Sequence, residues 1–93
     1  MSTANVEQYK ALMTEIIQKQ IIILGPNISV LKARNIAALK VADDGSVTEV
    51  AGDPQQALQQ LIDEYVALSG LIVKNILGSI MGKYPEIKVS VGG

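Results

Sequence analysis

The chain has 93 residues, 48% of them hydrophobic and 18% charged, with a net charge of −1, which bounds it to one small domain that buries about 60–65% of its unfolded surface when it folds alone. It holds no histidine and no cysteine, so the commonest general base and metal ligand are missing, together with disulfides, thiolate nucleophiles and Fe–S ligation. Eight Lys and Arg residues are scattered without a block of like sign and three tyrosines are the only aromatics, which argues against a nucleic-acid footprint or a base-stacking platform.

The residues from Met1 to Asn5 lack a basic start and an apolar run, so no secretory signal is expected and a cytoplasmic location is the default. The apolar run Ile21 to Leu24 is short and Val66 to Ile80 is interrupted by Lys74-Asn75. Neither reaches the ~20 mostly uncharged residues that cross a bilayer, and no transmembrane segment is expected.

Asn5 can cap a first helix, with Gln8 three residues on completing a capping box. Val6, Tyr9, Met13, Ile16, Gln20 and Ile23 then follow a heptad seam, widened by Leu12, Ile17, Ile21 and Leu24. The run Ile21-Ile22-Ile23 has strand propensity, but it continues the periodic helix without a break. Gly25-Pro26-Asn27 ends that helix and starts a second that reaches about Asn35, making a helical hairpin.

From Ala38 the period changes to two. Leu39-Lys40-Val41 and Ser46-Val47-Thr48-Glu49-Val50 flank Asp43-Asp44-Gly45 and predict a β-hairpin. A two-residue turn at Asp44-Gly45 would set Leu39 opposite Val50 and Lys40 opposite Glu49; a three-residue loop would oppose Leu39 to Glu49. The two-residue turn pairs apolar with apolar on one face and opposite charges on the other, and is the one expected.

Asp53-Pro54, with Gln56 three residues after the cap, opens the longest periodic run, Leu58, Leu61, Ile62, Tyr65, Leu68, Ile72, Ile76 and Ile80. Unbroken to Lys83 the helix would be roughly 45 Å long, against the ~26 Å diameter of a compact domain of this size. Ser69-Gly70, Gly78 and Gly82 cost helix propensity, which fits either a kink or the close approach of another helix. The tail from Ile87 to Val91 alternates and predicts a third strand. The expected fold is therefore α+β, a single domain over residues 1–93 in the order ααββαβ.

The chemistry-bearing candidates are sparse. Asp63-Glu64 diverge by about 100° on a helix and do not converge on one atom, Asp43-Asp44-Gly45 lacks the spaced oxygens of a calcium loop, and Gly25-Pro26-Asn27 with Lys32 and Arg34 is a weak anion-site pattern. No catalytic residue, cofactor or metal site is nominated. The excess apolar content instead points to a non-enzymatic, homo-oligomeric interaction module, scaffolding or regulatory, whose expected partners are itself, as a homodimer or higher homo-oligomer, and another protein. Met13, Ile16, Tyr65, Leu68, Gly70, Ile72, Asn75 and Gly78 are the positions expected at the contact, Asn75 as a residue that fixes register. The alternative is a small apolar-ligand carrier or sensor with an aliphatic cavity between the long helix and the sheet, Tyr65 fixing a polar group. Peripheral membrane binding ranks third because no helix face is notably basic.

Overall fold

The computed structural model describes residues 5–89. Helix α1 spans Val6–Leu24, and its start is the expected reciprocal cap: Asn5 Oδ1 accepts from the Gln8 amide at 2.9 Å while Gln8 Oε1 accepts from the Asn5 amide at 3.1 Å. The isoleucine run stays helical to Leu24, where Gly25, at φ +91°, turns the chain into α2, Pro26–Arg34, with Pro26 at the first helical position.

Strands β1, Leu39–Val41, and β2, Val47–Val50, pair antiparallel. Leu39 faces Val50 and Lys40 faces Glu49, the expected register, but the turn is not the two-residue one. The Gly45 amide donates to Ala42 O and the Ala42 amide to Ser46 O, so the loop is Asp43-Asp44-Gly45 with Gly45 at φ +92°. An irregularity beyond Val41 and Val47 then leaves Thr48 as the extra residue, which shifts the register back by one. The hairpin sits on α1: the Val47 amide donates to Thr14 Oγ1 at 2.9 Å, and Gly45 lies against Ile17 and Ile21.

Helix α3, Pro54–Ile80, opens with Asp53 Oδ1 accepting from the Gln55 amide, whereas Gln56, expected to close the capping box, stays exposed. The helix is broken at Ser69, whose backbone (φ −164°, ψ 103°) is extended, and the Ser69 hydroxyl accepts from the Ile72 amide at 3.3 Å, capping the second half of the helix. The break turns the chain back. Gln55 Nε2 donates to Lys88 O at 2.6 Å. A straight helix would carry Ile80 about 37 Å from Gln55, and the eight residues from there to Lys88 span at most about 29 Å. The first arm, 54–68, buries Ala57, Leu58, Leu61, Ile62 and Tyr65, and the second, 70–80, buries Val73, Ile76, Leu77 and Ile80. By length and composition alone residues 54–83 could cross a bilayer; here the length is divided between two arms.

The predicted C-terminal strand is a correction. A 3-10 turn, Met81–Lys83, follows α3, and residues 87–89 are irregular, while residues 90 and 91 of that expected strand lie outside the described residues. The alternation is met without a ladder: Ile87 is buried and Lys88 exposed, but the Ile87 amide donates back to Tyr84 O and the Lys88 carbonyl takes the Gln55 side chain. The order is ααββα with an irregular tail, and the class remains α+β.

At the centre is α1. Leu12, Met13, Ile16 and Ile17 are fully buried, with α2, the hairpin and α3 packed around them. Among the described glycines Gly45 is the most closely packed, because a Cβ there would meet Ile21 Cδ1 at 2.8 Å and Ile17 Cγ2 at 3.0 Å, whereas one at Gly25 would meet nothing within 4 Å. Gly45→Ala therefore combines positive-φ strain with overpacking and is expected to cost about 2–4 kcal/mol, against about 1–2 kcal/mol for Gly25→Ala. Urea midpoints at unchanged slope measure both.

Candidate functional site

The carboxylates and cations of the candidate acidic and anion sites each have a partner within the chain. Asp63 accepts from Gln59 Nε2 at 3.1 Å; Glu64 lies 3.4 Å from Asn35 Nδ2 and 4.0 Å from Lys32 Nζ. Arg34 donates from Nε and Nη2 to Val41 O and pairs with Asp43 at 2.9 Å, so both cations of the weak anion pattern are turned to other elements. Asp44 Oδ1 accepts from the Ser46 amide as ordinary turn chemistry. Among the described residues no three His, Cys, Asp or Glu side chains gather to hold a metal ion.

Tyr65 is buried and donates to Ser29 O at 2.7 Å, so its hydroxyl serves the core; burial pushes its pKa far above the ordinary phenol value. Two surface grooves stand out: one of about 440 Å³ along α2 and the hairpin tip, lined by Pro26, Asn27, Val30, Leu31, Arg34 and Asp43, and one of about 210 Å³ on α1, lined by Glu15, Gln18, Lys19 and Ile22. Neither is lined by Tyr65, the residue expected in an aliphatic cavity.

What the structure does gather is apolar surface. Exposed large aliphatic side chains lie at the end of α1 (Ile22, 76% exposed, Ile23 and Leu24), on α2 (Ile28 and Leu31) and beside the break in α3 (Leu68 and Leu71, the latter 71% exposed). Contacts between the helices place these segments at one end. Tyr65 reaches Ser29, four residues past the α1–α2 link. Glu64 stands beside Lys32, and Leu68 lies one helical turn further along α3 and Ile28 one turn back along α2 from that pair. Glu15, midway along α1, accepts from Lys83 Nζ at 2.7 Å and from the Tyr84 hydroxyl at 2.5 Å. The second arm therefore runs back beside α1, and Leu71, about 18 Å before Lys83, stands near the level of Leu24, about 14 Å beyond Glu15.

The eight positions expected at a contact divide along this line. Met13, Ile16 and Tyr65 belong to the chain's own core; Leu68, Asn75 and Gly78 are exposed, and Gly70 and Ile72 are half-buried, with Leu68 just before the break and the other four after it. Added Cβ atoms at Gly78 and Gly82 would meet nothing within 4 Å, so neither glycine is required by packing within the chain. Sequence reasoning missed Ile22, Ile23, Ile28, Leu31 and Leu71 as exposed. Leu71 was legible, since it falls outside the heptad-like run of α3; the α1 isoleucines were not, because a seam that broad hides which side faces the core.

Comparison with known protein families, with curated proteins and with solved structures finds no match to this chain.

The Glu15 clasp gives a pH dependence whose sign is set by its geometry. The hydrogen bond from Lys83, then that from Tyr84, holds the Glu15 carboxyl below the usual range, so its contribution to stability is present above the unfolded carboxyl value and is lost as pH falls through the folded one. Burial, and next the bond to Glu15, push the Tyr84 phenol up to about 12; that contribution is complete below the ordinary phenol value and is lost as pH rises from there through about 12. Unfolding free energy is expected to be flat between about pH 5 and 9 and to fall on both sides. Glu15→Gln should reduce the acid limb, to which Asp44 also contributes, and Tyr84→Phe the alkaline limb, where the raised phenol of buried Tyr65 remains, in urea titrations across pH.

Proposed function

We propose that this chain is a non-enzymatic interaction module that acts by self-association, presenting the assembled surface to a further protein as scaffold or regulatory subunit. The observation that carries the reading is the apolar end of the fold. There the exposed fractions of seven Leu and Ile residues add to roughly three to four whole side chains. At about 1.5–3 kcal/mol for each aliphatic side chain fully buried, covering that end is worth about 5–10 kcal/mol per copy, so two copies offset an association cost on the order of 4–15 kcal/mol. The missing histidine and cysteine, and the local engagement of the carboxylates, support a non-catalytic role.

Light scattering across about 1–100 µM tests the reading, this being the range in which modest interfaces dissociate. The expected mass is twice the 9.9 kDa of one chain or more, falling toward one chain only on dilution. A single-chain mass throughout the range would refute self-association.

A further inference from the structure

We infer that the second copy seats end to end, on the apolar tip formed where α1 ends, α2 begins and α3 turns back at Ser69; this rests on the self-association reading. Three features select the tip over the rest of the surface. Among the described residues only Val6 is a large exposed hydrophobic outside it. Its three contributing segments are held in fixed relation by Tyr65 to Ser29 O, by Glu64 beside Lys32 and by the Gly25 link, so the surface is preformed and little ordering is needed on contact. And its size fits. Each aliphatic side chain offers about 60–120 Å² of apolar area at the usual transfer coefficient, so the exposed fractions amount to roughly 220–450 Å². A standard interface takes about 800 Å² from each partner, some 60% of it apolar, or on the order of 480 Å². The tip supplies about half or more of that from its own large aliphatic side chains.

The tip is used by both copies alike, so the contact closes on itself and stops at two chains, without a free end to extend a filament. Lys19, Lys32 and Lys74 stand about one turn from it, with Asp63 and Glu64 below Leu68, which gives the rim both signs of charge around an uncharged centre, the ordinary layout of a protein contact.

The test uses the whole chain and three matched variants, Leu71→Asp, Ile28→Asp and Val6→Asp. All three place the new carboxylate in the first turn of a helical segment, where the dipole favours it, so folding, checked by circular dichroism and urea midpoint, should survive in each. Light scattering should show Leu71→Asp and Ile28→Asp as single chains at concentrations where the native chain and Val6→Asp are dimers, a weakening of at least 100-fold. Should one tip variant fail to fold, the other reads the same surface. Dimers that persist in both tip variants would overturn the end-to-end contact while leaving self-association standing. A native chain that stays single at 100 µM would overturn both, and its flotation with phosphatidylcholine/phosphatidylglycerol vesicles, lost in Leu71→Asp, would assign the tip to lipid instead.

Discussion

The fold depends on one broken helix. In a continuous α-helix the side chains that the first arm of α3 buries, Ala57, Leu58, Leu61, Ile62 and Tyr65, and those that the second buries, Val73, Ile76, Leu77 and Ile80, would centre on directions about 80° apart. They would also be spread along a rod longer than α1. No single partner helix covers both sets at once. The extended backbone at Ser69 resolves this by reversing the chain, so that both arms close around α1, and the Ser69 hydroxyl replaces part of the lost hydrogen bonding by capping the second arm at the Ile72 amide. Every other element is arranged around the space this leaves. The hairpin takes the side of α1 that carries Ile17 and Ile21, and the tail returns to the start of α3.

That arrangement explains which parts of the fold were legible in the sequence. Caps and breakers are local, so Asn5 with Gln8, Gly25-Pro26 and Asp53-Pro54 marked the helix starts. The hairpin register was legible through its cross-strand pairs, yet its turn was not, because a three-residue loop with Thr48 as an added residue produces the same Leu39–Val50 and Lys40–Glu49 pairing as a two-residue turn. Sequence spacing counts the sum of the two shifts, not each one. The tail failed for a related reason: alternation reports which side chains are buried, and Ile87 is buried, but it does not report what the backbone bonds to. In α3 a spacing that joins Leu68 and Ile72 into one stripe crosses the break, and the phase changes there from Ile72 to Val73.

The candidate site was legible in kind and not in place. Apolar excess over what a chain of this size can hide is a property of composition, and it predicts a surface that needs covering. Where the surplus falls is set by the reversal at Ser69. The heptad seam of α1 looked like an interface because it is too broad for a helix on a surface; it is broad because α1 is enclosed, which consumes Met13 and Ile16 within the chain. The surplus is pushed outward to positions where helices end and no neighbour continues, Ile22 and Ile23 beyond the enclosed stretch and Leu71 just past the turn.

The same reversal brings the two ends of the described chain together. Gln55 accepts from the Tyr9 hydroxyl at 2.8 Å and donates to Lys88 O, so the first turns of α1 and the described end of the tail meet at the start of α3, on the side away from Ser69. The described chain, residues 5–89, therefore begins and ends on one shared side, as two leads from one socket. The end that carries the exposed aliphatic side chains is the one opposite both leads.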